Sequence, residues 1–238
     1  MKRVIVIPAR YASTRLPGKP LANIAGKPLI QWVYERASTS TLKDAVLIAT
    51  DDIRIQDAAL SFGASVVMTS PDCASGTDRV YEAIKGSDAD IIINVQGDEP
   101  LIRGDMIDRL FAVFEKETLD MATLCSPLGG KSELESPHTV KVVVDQKGFA
   151  LYFSRSPIPF LQKPTIAAMY KHVGIYGFSR RFLERFVNLP KGKLEETESL
   201  EQLRALEAGY KIKVLVVEYD GISVDTPEDL ERARLLLA

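Results

Sequence analysis

The chain has 238 residues, with 30 basic against 32 acidic side chains and a hydrophobic share of 46%. That length and composition suit one large folded domain with its own core, and exclude a disordered or collagen-like chain. The net charge of −2 argues against a general nucleic-acid coat. Two distant cysteines, Cys73 and Cys125, exclude a disulfide scaffold and a structural zinc site. No apolar run reaches the length of a membrane span, and Val4 to Ile7 is too short for a signal-peptide core. The expectation is a cytoplasmic protein with neither membrane nor nucleic-acid partners.

In chain order, Arg3-Val-Ile-Val-Ile-Pro-Ala-Arg10 opens with a β-branched run of the kind found in a strand covered on both faces. Similar runs recur at Ala45–Ala49, Ser65–Met68 and Ile91–Val95. Stretches with helical spacing lie between and after them, at Leu29–Ser38, Ile53–Phe62, Asp78–Lys85 and Ile107–Glu117. Alternating strands and helices predict an α/β fold, a mostly parallel central sheet flanked by helices, with ligands at the C-terminal ends of the strands. After Asp120 the rhythm changes. Val140–Asp145 and Phe149–Phe153 flank Gln146-Lys147-Gly148 and predict a hairpin. A turn rich in proline (Pro157, Pro159, Pro164) follows, then a strand near Val173–Phe178 and a helix from about Arg180. A helix over Glu198–Ala208 and a late strand over Lys211–Tyr219 come next. Thr226, Pro227 and Asp229 then form a strong helix start. The expectation is a single domain over residues 1–238, with residues 130–180 as an elaboration.

The loop Pro8-Ala-Arg-Tyr-Ala-Ser-Thr-Arg-Leu-Pro-Gly-Lys-Pro20 carries Arg10, Arg15 and Lys19 and no acid. Guanidinium forks and an ammonium after the first strand suit a polyphosphate. Gly18-Lys19 is followed by Pro20, so this is not a P-loop, and no GxGxxG follows the first strand. Asp98 ends the Ile91–Val95 strand region in Asn94-Val-Gln-Gly-Asp-Glu-Pro100, and Asp225 precedes the last helix. Two carboxylates from separate strand ends could hold Mg²⁺, a hard ion that takes one or two of them plus water and phosphate oxygens. Asp225 could equally favour the helix dipole, and Asp98 could be a turn residue. Ser75 and Asp78 read alone as a capping box with Arg79 on the helix surface. Asp88 and Asp90 precede their strand and so lie at the wrong edge of the sheet for a metal motif.

Ile7-Pro-Ala-Arg10 with Ser13-Thr-Arg-Leu-Pro-Gly-Lys-Pro-Leu21 resembles the opening of the cytidylyltransferases that activate acidic sugars as CMP conjugates. The resemblance continues through Ser75-Gly-Thr-Asp-Arg79, Asn94–Pro100, Tyr152-Phe-Ser-Arg-Ser-Pro-Ile-Pro159, His172-Val-Gly-Ile-Tyr-Gly177, Glu198-Ser-Leu-Glu-Gln-Leu203 and Val224-Asp-Thr-Pro227. It is strongest to those that use 3-deoxy-D-manno-octulosonate (Kdo). It implies Mg-dependent transfer of CMP from CTP to Kdo, for lipopolysaccharide biosynthesis, in a cytoplasmic homodimer whose contact region is the elaboration. It implies Asp98 and Asp225 as metal ligands and Arg10 and Lys19, with Arg15, on the triphosphate. Pro8, Ala9, Ser75, Arg79 and Gln96 would lie against the nucleotide. Gln96, Arg155, His172, Tyr176, Glu201 and Gln202 would line the sugar pocket. On a helix, Glu201 and Gln202 diverge by roughly 100° and both serve only if that helix edge straddles the pocket. The alternatives are a cytidylyltransferase for another acidic sugar, such as a sialic acid or an amino analogue of Kdo, and a binding protein without catalysis.

Overall fold

The computed structural model describes residues 1–13, 15–162 and 169–237. Thr14 of the cationic loop and Pro164 of the proline-rich turn lie outside the described residues. The chain divides into two compact units, Met1–Val113 with Asp220–Ala238, and Phe114–Tyr219.

The first unit begins with β1 (Arg3–Ala9), then β2 (Asn23–Ile24) and β3 (Lys27–Pro28), which form a small antiparallel pair. There follow α1 (Leu29–Ala37), β4 (Ala45–Thr50), α2 (Ile53–Ser61), β5 (Ser65–Met68), α3 (Gly76–Ile84), β6 (Ile91–Val95) and α4 (Gly104–Lys116). Its sheet has the order β6-β1-β4-β5, and every neighbouring pair is parallel. Val4–Ala9 and all of β6 are buried, as central parallel strands covered on both faces require. The chain winds outward from β1 through β4 to β5 and then returns to β1's other side as β6. That reversal leaves a crevice beyond the C-terminal ends of β1 and β6, where α/β sheets bind ligands. The backbone is tight there: a Cβ on Gly97 would stand 2.8 Å from the Pro8 carbonyl oxygen. Asp90 accepts from the Lys2 backbone N–H and Asp88 from the Lys2 ammonium, which fixes both at the opposite edge of the sheet.

The second unit contains β7 (Met121–Pro127), α5 (Lys131–Glu135), β8 (Lys141–Val144), β9 (Ala150–Ser154), β10 (Tyr170–Ser179), α6 (Arg180–Phe186), α7 (Lys193–Glu198), α8 (Leu203–Glu207) and β11 (Ile212–Val216). Its strands run β11-β7-β10-β8-β9, with β11 parallel to β7 and the others antiparallel. The expected hairpin is β8–β9. Gly148 turns it with φ 77°, and the Asp145 carboxylate accepts from the Lys147 and Phe149 backbone N–H groups. β7 and α5 are additions to the sequence reading. The late strand is shorter than expected. The expected helix over Glu198–Ala208 is corrected: α7 ends at Glu198, Ser199 takes left-handed backbone (φ 52°), and α8 begins only at Leu203. Glu201 and Gln202 therefore sit in a turn between two short helices, and the helical divergence argument does not apply to them.

The chain closes with α9 (Pro227–Leu237), which belongs to the first unit. Its start is the expected reciprocal cap. The Thr226 hydroxyl accepts from the Asp229 N–H at 3.2 Å, and the Asp229 carboxylate accepts from the Thr226 N–H at 3.0 Å.

Candidate active site

In the first unit, the loop after β1 closes on itself. The Gly18 N–H donates to the Tyr11 carbonyl at 3.2 Å, and the Arg54 guanidinium lies 3.3 Å over the Tyr11 ring. Gly18 has φ 68°, and a side chain there would also meet Tyr11 at 3.1 Å. This turn delivers Lys19 inward. Its ammonium donates to Asp98 Oδ2 at 2.7 Å and to Asp225 Oδ1 at 3.0 Å. Arg15 reaches the same Asp225 oxygen at 3.1 Å. The two acidic segments are also tied through their backbones, because the Val224 N–H donates to the Asp98 carbonyl at 2.9 Å. Burial pulls the Lys19 ammonium downward, but the Asp98 and Asp225 carboxylates outweigh it and hold its pKa above the usual lysine value. Burial pushes Asp225 up, yet Lys19 and then Arg15 hold it below the usual carboxylate value. Arg10 stands exposed at the tip of β1, without an ion pair among the described residues.

Beside this cluster the first unit gathers three more of the expected segments. A Cβ on Gly76 would lie 3.5 Å from the Pro8 ring and 3.7 Å from Gln96 Oε1. The Ser75 turn, the Pro8-Ala9 backbone and Gln96 therefore adjoin. Ser75 caps α3, its hydroxyl accepting from the Asp78 N–H at 3.2 Å. Gln96 is oriented by donating to Asn94 Oδ1 at 3.1 Å. Arg79 is not on the helix surface. It is buried, paired with Asp51 at 3.0 Å and bonded to the Thr69 hydroxyl. Asp51 and Thr69 were not expected as partners of Arg79, because residues so far apart in sequence leave no local signal.

Of the residues expected on the sugar side, Gln96 belongs to the first unit, and Arg155, His172, Tyr176, Glu201 and Gln202 to the second. His172, on β10, lies 2.9 Å from the Thr123 hydroxyl, with the Phe153 ring edge-on at 5.1 Å and the Tyr176 ring at 5.3 Å. Burial pulls His172 down to about 3, so the imidazole is neutral. Burial, with the nearby Glu201 charge, pushes the Tyr176 hydroxyl far up. Gln202 is 2% exposed, and its buried amide nitrogen lacks a hydrogen-bond partner among the described residues. Such a group calls for a ligand or a water. Arg155 reaches the same turn: Nε donates to the Glu198 carbonyl at 2.8 Å, one terminal nitrogen to Ser199 at 3.4 Å and the other to Pro137 at 3.0 Å. The Glu198 carboxylate accepts from the Ser154 hydroxyl and the Arg155 N–H. Thr123 and Glu198 are further residues that the sequence did not single out for a role.

Asp98 and Asp225 fit Mg²⁺. They are hard oxygen donors from separate segments, and both already contact one cation, the Lys19 ammonium. Among the described residues no group of three or more His, Cys, Asp or Glu gathers. Water and phosphate oxygens would complete such a shell.

A family model described as Cytidylyltransferase matches residues 4–212. The chain is 51% identical to an 8-amino-3,8-dideoxy-manno-octulosonate cytidylyltransferase of Shewanella frigidimarina, over 100% of this chain and 99% of that one. It is also 51% identical to a 3-deoxy-manno-octulosonate cytidylyltransferase of Thermodesulfovibrio yellowstonii, over 100% and 98% of the two chains. A solved CMP:2-keto-3-deoxy-manno-octonic acid synthetase, complexed with CTP, superimposes with TM-score 0.95 at 48% identity, covering 100% of this chain and 98% of that one. A 4-diphosphocytidyl-2C-methyl-D-erythritol synthase from Anaerococcus prevotii, 14% identical at TM-score 0.66 over 99% and 96% of the chains, shares the fold.

Proposed function

We propose a sugar-activating reaction for this chain, which belongs to the cytidylyltransferase family: CTP and Kdo give CMP-Kdo and diphosphate. The observation that carries the reading is the convergence of Lys19, Asp98 and Asp225, with Arg15 alongside, beyond the ends of β1 and β6. A cluster with two carboxylates and two cations suits a triphosphate–metal complex better than it suits a neutral ligand.

Arg10, Arg15 and Lys19 bind the triphosphate oxygens, and Lys19 exchanges carboxylate partners for phosphate ones. The Pro8-Ala9 backbone and the Ser75 turn hold the cytosine, where a carbonyl accepts from the N4 amino group and repels the O4 of uracil. Gln96 is assigned a contact to the nucleotide and to the sugar. Arg155, His172, Tyr176, Glu201 and Gln202 hold the sugar acid. His172 does so as a neutral donor or acceptor, since burial keeps it uncharged. The anomeric hydroxyl attacks the α-phosphorus in line. The bond to the β-phosphate bridging oxygen breaks, diphosphate leaves and the hydroxyl proton passes to solvent. Positioning and charge neutralisation supply most of the acceleration. Asp98 and Asp225 would hold Mg²⁺, which when bound would supply phosphate neutralisation and a lower pKa for the attacking hydroxyl. Arg79, buried against Asp51, is assigned to the nucleotide side as a brace for the Ser75 turn. A homodimer formed through residues 130–180 and a cytoplasmic place in lipopolysaccharide biosynthesis belong to the same proposal.

A second reading uses 8-amino-3,8-dideoxy-manno-octulosonate as the sugar. Equal identity to relatives of both names supports it. The experiment is competition: CTP and Mg²⁺ with Kdo and its 8-amino analogue together, the conjugates separated by mass. CMP-Kdo in excess supports the first reading, CMP-8-amino-Kdo in excess the second, and neither conjugate rejects both.

A further inference from the structure

We propose that Lys141 is a positioning residue for the sugar acid, acting by fixing the direction in which Arg155 presents its N–H groups. The inference rests on the assignment of Arg155 to the sugar. Lys141 stands at the start of β8, directly opposite Ser154 in the β8–β9 ladder. Its side chain is 0% exposed. A fully buried ammonium persists only where its donors are matched. An ammonium has three N–H groups, and here three backbone carbonyls receive them: Ser136 at 2.9 Å, Thr139 at 2.5 Å and Arg155. Lys141 thus has no donor left for a ligand.

What it ties together is specific. The Arg155 carbonyl anchors the backbone from which the guanidinium springs. The bonds to Ser136 and Thr139 clamp the segment whose Pro137 carbonyl takes one Arg155 N–H. Lys141 therefore holds both the root of Arg155 and one of the hooks that aim it. The other hooks are the Glu198 and Ser199 carbonyls. A guanidinium has five N–H groups. Three are spent on these carbonyls, and one remains on each terminal nitrogen. Two N–H groups remain for a carboxylate, and their aim depends on the clamp. The Glu198 carboxylate completes the frame by taking the Arg155 N–H, and it is the acid whose charge bears on the buried ammonium.

The test is a double-mutant cycle read in KM. Lys141→Met keeps the length and removes the donors. It should raise KM for Kdo (or for the 8-amino analogue, if that is the sugar turned over) roughly tenfold, as expected of a misaligned binding group, with KM for CTP unchanged. Arg155→Ala should raise the same KM by about 10- to 100-fold. In the Arg155→Ala background, Lys141→Met should add nothing. Lys141→Gln, neutral with two N–H groups, should give an intermediate rise, and it is the variant to read if Lys141→Met does not fold. An Lys141 effect that persists without Arg155, or that strikes CTP equally, overturns the proposal. So does a folded Lys141→Gln with unchanged KM while Arg155→Ala is defective. If Arg155→Ala itself leaves KM for the sugar unchanged, the assignment of Arg155 falls, and the proposal with it.

Discussion

Asp225→Asn separates a metal ligand from a structural acid by comparing two magnitudes. The substitution keeps the shape and one acceptor oxygen but removes the charge. Asp225 is paired with Lys19 at 3.0 Å and with Arg15 at 3.1 Å. Its side chain is 35% exposed and Arg15 58%, so solvent screens that pair, and the less exposed Lys19 keeps Asp98 at 2.7 Å as its partner when the Asp225 charge is lost. The loss of each pair then costs about 0.2–1 kcal/mol. The cap of α9 is untouched, because Asp225 offers it only its backbone N–H. The expected loss of stability is about 1 kcal/mol, or a fall in Tm of about 2–4 °C for a chain of this size. The expected loss of turnover is far larger. A fall of about 100-fold in kcat corresponds to roughly 2.7 kcal/mol of lost transition-state stabilisation. The assay is diphosphate release at saturating CTP and sugar across a Mg²⁺ titration, beside a thermal melt. A kcat within about threefold of wild type, together with the expected drop in Tm, refutes the metal assignment.

Four further outcomes are expected. Lys19→Met removes the resident cation from Asp98 and Asp225, so the nucleotide-free variant should bind Mn²⁺ at least about tenfold more tightly than wild type, read by electron paramagnetic resonance; equal affinities would show that Lys19 does not compete for the site. His172 is neutral in the folded state, with a pKa near 3 against 6.5 unfolded; its contribution to stability is whole above pH 6.5 and is lost as pH falls toward 3, so urea unfolding of wild type should weaken from pH 7 to 4 by up to about 1.4 kcal/mol per unit more than that of His172→Gln. Glu195→Ala removes the two-pronged partner of the buried Arg204, now bonded to it at 2.6 and 2.7 Å, while Glu201 stays at 3.8 Å, and should destabilise the fold by about 3 kcal/mol in the same assay. Asp225 is depressed by Lys19 and Arg15, so its stabilisation is present above its unfolded pKa of 3.8 and disappears as pH falls through the folded value; the stability gap between wild type and Asp225→Asn should be full at pH 6 and narrow below pH 3.8.

Much of the fold was legible because it depends on local pattern. β-branched runs marked β1, β4, β5 and β6, and Thr226-Pro227 with Asp229 marked the last helix. β7 escaped because Met121-Ala-Thr-Leu-Cys-Ser-Pro127 lacks a β-branched run. Its residues from Met121 to Ser126 are buried, so it gives no alternation either. The break at Ser199 was invisible for another reason. The Glu-rich stretch has helical composition, and only backbone at φ 52° with the carbonyls hooked by Arg155 stops it there. The site was legible through its short motifs, not through its contacts. Lys19 and Asp225 meet across 206 residues, and the Asp51–Arg79 pair links the end of one strand to a helix. Periodicity carries no information about such pairs.

The most direct test is diphosphate release measured with each of the four ribonucleoside triphosphates, with Mg²⁺, and with Kdo, its 8-amino analogue or no sugar. The account predicts release with CTP alone among the nucleotides, and only when one of the sugar acids is present. Equal release with UTP, or release that proceeds without a sugar acid, would contradict it.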